Sequence, residues 1–317
     1  MTIGKRPLSP HLGLEITGVD LSQPIDGPTE RAIREAWLEA GVLLFRGKTN
    51  EEQHLRLSRL FGELEEGATV GLNSDENPYL MKLEHNPEAI DERFAQQWEI
   101  DGMARVGFIG WHWDQSFMPT IVRGACLRMI KPARVLGQTG FLDAIAAYDR
   151  LSDELKARIE GLEVVYKFTL RMDENKFGMP RMRELPREVR PGAPKAKMDY
   201  PETVHPLVIT QQETGRKVLK LSPIHAKYVL GMDRAESDAL LTELAKVLTD
   251  MRYSYFHDWQ ADDMIVWDNW RVCHATQGVP IDVPRLGMRT TIAGDYKVGR
   301  YLDPALDRNR EVVRFMD

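Results

Sequence analysis

Cysteine is scarce in this chain: two residues, Cys126 and Cys273, among 317. That is too few for a disulfide framework and points to a reducing cytoplasm. Long apolar runs are missing too, since no segment approaches the ~18 to 20 residues that a membrane helix needs. The N-terminal "MTIGKRPLSPHLGLEITG" holds two prolines and no signal-peptide core. A protein without a membrane partner is therefore expected. Positive charge is not in excess either; the net charge of -6 excludes a general nucleic-acid binder and makes any anion site local. No fixed-period repeat or low-complexity tract occurs, which argues against solenoids and propellers. What is present is 43% hydrophobic residues, ample for a core, in a length that fits one large domain or two small ones.

The apolar pattern reads as strands with helices between them. "LEITGV" alternates like a half-buried strand. "GPTERAIREAWLEAG" carries Pro28 near a helix start, Gly41 past its end, and Ile33, Ala36, Trp37 and Ala40 at helical spacing. A buried strand, "VLLFRG", follows, then a second helix in "TNEEQHLRLSRLFGEL", whose apolar face is Leu55, Leu57, Leu60 and Phe61. "RLSDELKARIEGL" is a third helix, capped by Ser152, and "MDRAESDALLTELAKVLTD" is a fourth. Between them lies a long proline- and arginine-rich excursion, about residues 170–203, read as a surface loop. From Lys167 to Lys197 it has nine Lys or Arg against four Asp or Glu. Such a run is a solvated face or a means of steering an anionic substrate. "LVIT", "KVLKLS", "DDMIVWDN" and "RTTIAGDYK" resume as strands.

In "GWHWDQSF", His112 and Asp114 are two residues apart. In a strand that spacing puts both on one face, with Trp113 on the other; on a helix they would lie roughly 200° apart and could not chelate. Alone, a His-x-Asp pair is weak evidence. His274, in "WDNWRVCHAT", supplies a second histidine, followed by Arg285 and Arg289. Two histidines and one carboxylate on one face of an octahedral metal leave three positions open, the arrangement of non-haem Fe(II) oxygenases. A bidentate 2-oxo acid and dioxygen can fill them. An arginine is then needed for the far carboxylate of that acid, which a planar guanidinium binds through paired hydrogen bonds.

With these motifs in order, the chain resembles the TauD/TfdA family of Fe(II)- and 2-oxoglutarate-dependent oxygenases, named for taurine dioxygenase and 2,4-dichlorophenoxyacetate dioxygenase. The resemblance runs through "LGLEITGVDLSQPI", "AGVLLFRGKTNEEQHLRLSRLFGEL", "WHWDQSF", "GQTGFLDAIAAYDRLSDELKARIEGL", "VHPLVITQQETGRKVLKLS" and "WDNWRVCHAT" to "RLGMRTTIAGD". It implies an α+β chain built on a double-stranded β-helix, the jelly roll or cupin-like barrel, with helices packed around it. It also implies one catalytic domain over residues 1–317, and homo-oligomers are common in the family. By the same resemblance His112, Asp114 and His274 bind the iron, and Thr139 and Arg285 bind the distal carboxylate of 2-oxoglutarate. Arg289 contacts an anionic substrate group or supports the cosubstrate. The implied reaction is hydroxylation of a small organic acid, with dioxygen consumed and succinate and carbon dioxide released.

The departures from the family pattern bear on the substrate. Phe108, in the apolar "FIG" before Trp111, stands where family members often carry asparagine, so a polar substrate contact is not expected there. A lid is expected at about 86–109, where Phe94, Trp98 and Phe108 favour a partly apolar or aromatic substrate of the aryloxyalkanoate, sulfonate or alkyl sulfate kind. Halogenating relatives have a small residue in place of the carboxylate, and Asp114 disfavours that chemistry. Two alternatives stand beside this reading: the same chemistry on an amino acid or secondary metabolite, and a non-catalytic cupin-like metal sensor. Trp111, Trp113, Phe117 and Cys273 are read as packing, and the other six histidines carry no motif role.

Overall fold

In the strand Val42–Phe45 all side chains are buried, because both faces of its sheet are covered. Leu43 and Phe45 pack outward among helices, while Val42 and Leu44 face a second sheet, as the two-residue period of a strand requires. The computed structural model describes residues 3–66, 73–74, 76–89, 96–169, 171–186, 198–306 and 314–315, and the same layering recurs through it.

The larger sheet has eight strands, in the order Gly4–Pro7, Leu14–Thr17, Val42–Phe45, Met264–Asp268, Gly124–Lys131 and Arg285–Ile292, with Leu64–Glu65 and Met81–His85 both paired to the last. The smaller has six: Met182–Glu184, Gln97–Ile100, Met103–His112, Val272–Pro280, Thr139–Asp143 and Tyr255–His257, antiparallel throughout. Leu44, Leu127, Phe141, Ile265, Trp267 and Val272 fill the space between them. This is the jelly roll that the resemblance implied.

Helices cover the outer faces. Gly27–Ala40 is capped by Asp26, which accepts from the Thr29 amide, and ends at Gly41, whose φ of 73° is left-handed. It turns Ile33, Ala36 and Trp37 onto the larger sheet. Glu51–Arg59 begins with a capping box between Asn50 and Gln53. Arg234–Leu248 lays Leu240, Leu241 and Leu244 in a cluster with Leu142 and Cys273 on the outside of the smaller sheet. Asp153–Ile159 is capped by Ser152 as expected. A short helix, Ala144–Asp149, was not anticipated; Asp143 ends a strand and caps it at once.

Two sequence-based assignments need correction. Residues 97–109, expected in a lid, are the Gln97–Ile100 strand and most of Met103–His112. Trp98 and Ile100 are buried there with Met172 and Ile224, so apolar anchoring makes this segment sheet. Residues 90–95, Phe94 among them, lie outside the described residues. The excursion at 170–203 is not a bare loop. It contains a 3-10 turn at Met172–Glu174, the strand Met182–Glu184 and the beginning of Thr203–Pro206. Residues 170 and 187–197 lie outside the described residues.

Candidate active site

His112 is the last residue of its strand and lies in register opposite His274 on the neighbouring one. His274 alternates with Cys273, so its ring faces inward beside Trp267 while the cysteine joins the outer core. His112 Nδ1 is 2.8 Å from the Gly110 carbonyl. A carbonyl only accepts, so Nδ1 donates and Nε2 keeps its lone pair for the interior.

Asp114 does not share the strand with His112, contrary to the expectation from spacing. The strand stops at His112, and Asp114 sits in the turn that follows. Its amide donates to Asn269 Oδ1 at 2.7 Å, and Asn269 Nδ2 donates to the carbonyls of Asp114 and Val122, each at 3.1 Å. A fully buried asparagine side chain thus takes the place of a neighbouring strand. Asn269 is fixed in turn by Lys220, whose ammonium donates to its carbonyl and lies 4.3 Å over the Trp113 ring. Burial pulls the Lys220 pKa down to about 7. Neither residue was marked by the sequence; Asn269 read only as the end of the strand segment "DDMIVWDN".

The three ligand groups converge. Asp114 Oδ1 is 3.9 Å from His112 Nε2 and 3.7 Å from His274 Nε2, and all the ligand atoms lie within 4.8 Å of one another. Adjacent donors on an octahedral ion at about 2.1 Å stand about 3 Å apart, so small rotations close the set around a metal. Burial holds both histidines below their ordinary pKa, which keeps the imidazoles neutral. Burial alone would raise the Asp114 carboxyl, but Arg289, then His274 and His112, outweigh it and bring the value to about 2. The donor set is therefore in the protonation state that a divalent cation requires.

Arg289 Nη2 is 2.8 Å from Asp114 Oδ2, and the guanidinium lies 5.5 Å over Trp267. This places the expected anion-binding arginine on the carboxylate ligand itself. Thr139 is buried at the start of its strand and accepts a hydrogen bond from Trp259 Nε1 at 3.0 Å. Arg285 begins the Arg285–Ile292 strand, opposite His85. A Cβ added to Gly137, two residues before Thr139, would come within 3.8 Å of Arg285 Cδ, so the two expected cosubstrate residues belong to one neighbourhood. The Arg285 guanidinium has no ion pair or hydrogen bond among the described residues, and withdrawal from water lowers its pKa to about 10. A cation left without a counter-ion is suited to a carboxylate.

Phe108 packs with Trp98, Ile100, Met172 and Ile224, the apolar group expected for that position. His85 is engaged elsewhere, 2.9 Å from the Ile281 carbonyl. His225, for which the sequence suggested no role, stands edge-on to His112 at 6.0 Å and pairs with Ser116 Oγ at 2.7 Å.

The family model described as taurine catabolism dioxygenase TauD, TfdA matches residues 5–291. The chain belongs to the TauD/TfdA family. The (S)-phenoxypropionate/alpha-ketoglutarate-dioxygenase of Sphingobium herbicidovorans is similar to it, 32% identical over 295 residues, covering 91% of this chain and 94% of that protein. The alpha-ketoglutarate-dependent 2,4-dichlorophenoxyacetate dioxygenase of Cupriavidus pinatubonensis is 28% identical over 298 residues, with 93% and 99% covered. Among solved structures, a taurine dioxygenase from Burkholderia xenovorans superposes with a TM-score of 0.72 at 27% identity, covering 99% of this chain and 95% of that one. This TauD/TfdA member is accordingly an oxidoreductase that uses Fe(II), 2-oxoglutarate and dioxygen. Among the described residues no helix is long and apolar enough to cross a membrane.

Proposed function

We propose that this dioxygenase hydroxylates a small, anionic, partly apolar organic molecule, with aryloxyalkanoates first and sulfonates or alkyl sulfates next, and releases succinate and carbon dioxide. The observation that carries the proposal is the meeting of His112, Asp114 and His274 with Arg289 at one buried point. In this reading the two neutral imidazoles and the ionised carboxylate would hold Fe(II). Bound iron supplies oxygen activation coupled to decarboxylation of the 2-oxo acid.

The remaining work falls to the chain. Arg285 and Thr139 hold the distal carboxylate of 2-oxoglutarate. Arg289, the cation beside Asp114, meets the anionic group of the substrate, while Phe108 and its neighbours form an apolar wall. Trp267, packed against both His274 and Arg289, excludes water from beneath them. The names of the two relatives, phenoxypropionate and dichlorophenoxyacetate dioxygenases, support an aromatic acid. One catalytic domain over residues 1–317 carries these groups. The protein works in the cytoplasm on a small molecule, without nucleic acid or membrane; its two cysteines, both buried and unpaired, agree with a reducing compartment.

The decisive experiment is anaerobic titration with Fe(II) and 2-oxoglutarate, followed by succinate release in air across aryloxyalkanoates, sulfonates, alkyl sulfates and amino acids. A weak visible charge-transfer band and substrate-dependent succinate are expected, both lost in His112→Ala. No band and no succinate would defeat the oxygenase reading; succinate driven only by amino acids would overturn the substrate class.

A further inference from the structure

Beside Thr139 runs a chain of side chains that the proposal above leaves unused. The strand Tyr255–His257 is the edge of the six-stranded sheet, and His257 lies in register opposite Thr139. The Tyr255 hydroxyl is 2.7 Å from His257 Nδ1, and His257 Nε2 is 2.9 Å from Asp263 Oδ2. Because a carboxylate only accepts, Nε2 carries the proton, and Nδ1 is left to accept from the tyrosine. The Gln260 amide donates to the same Asp263 oxygen at 3.0 Å. His257 and Asp263 are sealed from solvent at 0% and 1% exposure, so this ring has one orientation. Trp259 meets it edge-on, with centroids 4.6 Å apart and planes at 86°. From that position the indole reaches Thr139 Oγ1.

The direction of this last bond decides what Thr139 can do. An indole N–H is a donor only, so the threonine oxygen must be the acceptor. A hydroxyl has one proton, and with the indole on a lone pair that proton points elsewhere; it has no partner among the described residues. Thr139 is 3% exposed, which leaves bulk water no ready claim on it.

We propose that Trp259, locked by Tyr255, His257 and Asp263, is a positioning residue that fixes the Thr139 hydroxyl as a hydrogen-bond donor to the distal carboxylate of the 2-oxo acid. The inference rests on the assignment of Thr139 and Arg285 to that carboxylate. It deepens that assignment by giving it selectivity. With a guanidinium on one side and, on the other, a hydroxyl whose proton is turned away from the indole, both groups offer donors to the bound acid. A carboxylate accepts from both, whereas the C5 amide of the same acid presents an N–H face to at least one of them and leaves a buried donor unpaired.

The test is the dissociation constant of 2-oxoglutarate for the anaerobic Fe(II)-loaded enzyme, measured by calorimetry alongside the steady-state constants. Trp259→Phe keeps an aromatic ring beside His257 and removes the donor together with part of the indole's bulk. It should weaken 2-oxoglutarate binding and raise its KM about fivefold to tenfold, with kcat and Fe(II) affinity nearly unchanged, and should narrow the preference for the acid over its C5 amide. Thr139→Val should weaken 2-oxoglutarate binding at least as much, and the double variant should bind no worse than Thr139→Val alone, because the indole acts through the hydroxyl. Thr139→Ser should bind as the parent does while Trp259 is present and lose that affinity when it is not. If Trp259→Phe does not fold, Tyr255→Phe, which unlocks His257 from the far end, should give a smaller loss of the same kind. Unchanged 2-oxoglutarate binding in Trp259→Phe together with a loss in Thr139→Val, or strictly additive losses in the double variant, would overturn the proposal while sparing the cosubstrate assignment. No loss in either Thr139→Val or Arg285→Ala would instead overturn the assignment itself.

Discussion

Asp114 stands between two supports, one on its backbone and one on its side chain. Asn269 satisfies the peptide groups on either side of it, and Arg289 holds its outer oxygen. Replacing Asn269 with alanine strands a buried amide and two carbonyls, at a cost of roughly 2 to 4 kcal/mol. Asn269→Ala should therefore lower the urea midpoint and weaken Mn(II) binding together. Arg289→Gln should raise the substrate KM by at least tenfold and, by leaving the buried Asp114 carboxylate without its cation, also lower the urea midpoint. That His112, Asp114 and His274 come together was legible in the sequence, because the family resemblance drew distant motifs to one site. Their supports were not legible. Lys220 looks like any strand lysine in "KVLKLS" until the fold buries it under Trp113, and nothing local announces that Asn269 reaches back 155 residues to Asp114.

At the scale of elements, the antiparallel pairing of Val272–Pro280 with Met103–His112 sets where the two histidines meet. Their register shifts between His274 and Thr276, and Gly278 lies beyond that irregularity with a φ of 68°. A Cβ on Gly278 would come 2.7 Å from the Val106 carbonyl, which has no room to yield. Gly278→Ala should thus cost more than 1 kcal/mol by thermal melting and reduce metal affinity by disturbing the strand that carries His274. The helices were readable from caps and apolar spacing, as Gly27–Ala40 shows with its Pro28 and Gly41. The hairpin of Gln97–Ile100 and Met103–His112 was harder to see. Its apolar residues are anchored by Met172 and Met182, more than 60 positions away, and a contact of that kind leaves no periodic trace.

For the whole molecule, buried histidines govern behaviour in mild acid. Burial lowers His54 from its ordinary 6.5 to about 4, and His205 to about 3. The unfolded chain takes up these protons first as pH falls through 6.5. Their stabilising contribution is full above that value, is lost progressively on the way down to the folded values, and is gone below them. For His54 the difference amounts to about 3 kcal/mol. The urea midpoint should accordingly fall between pH 7 and 5, with a shallower slope in His54→Gln. The Asp114–Arg289 pair has an opposite kind of consequence. With one anion matched by one cation and two uncharged rings, the His112, Asp114 and His274 donor set has no self-repulsion of its own. Folding and metal loading are then separate events. Stripping the metal with a chelator should move the melting temperature by only a few degrees, and a single preparation should accept one divalent ion after another without passing through an unfolded chain.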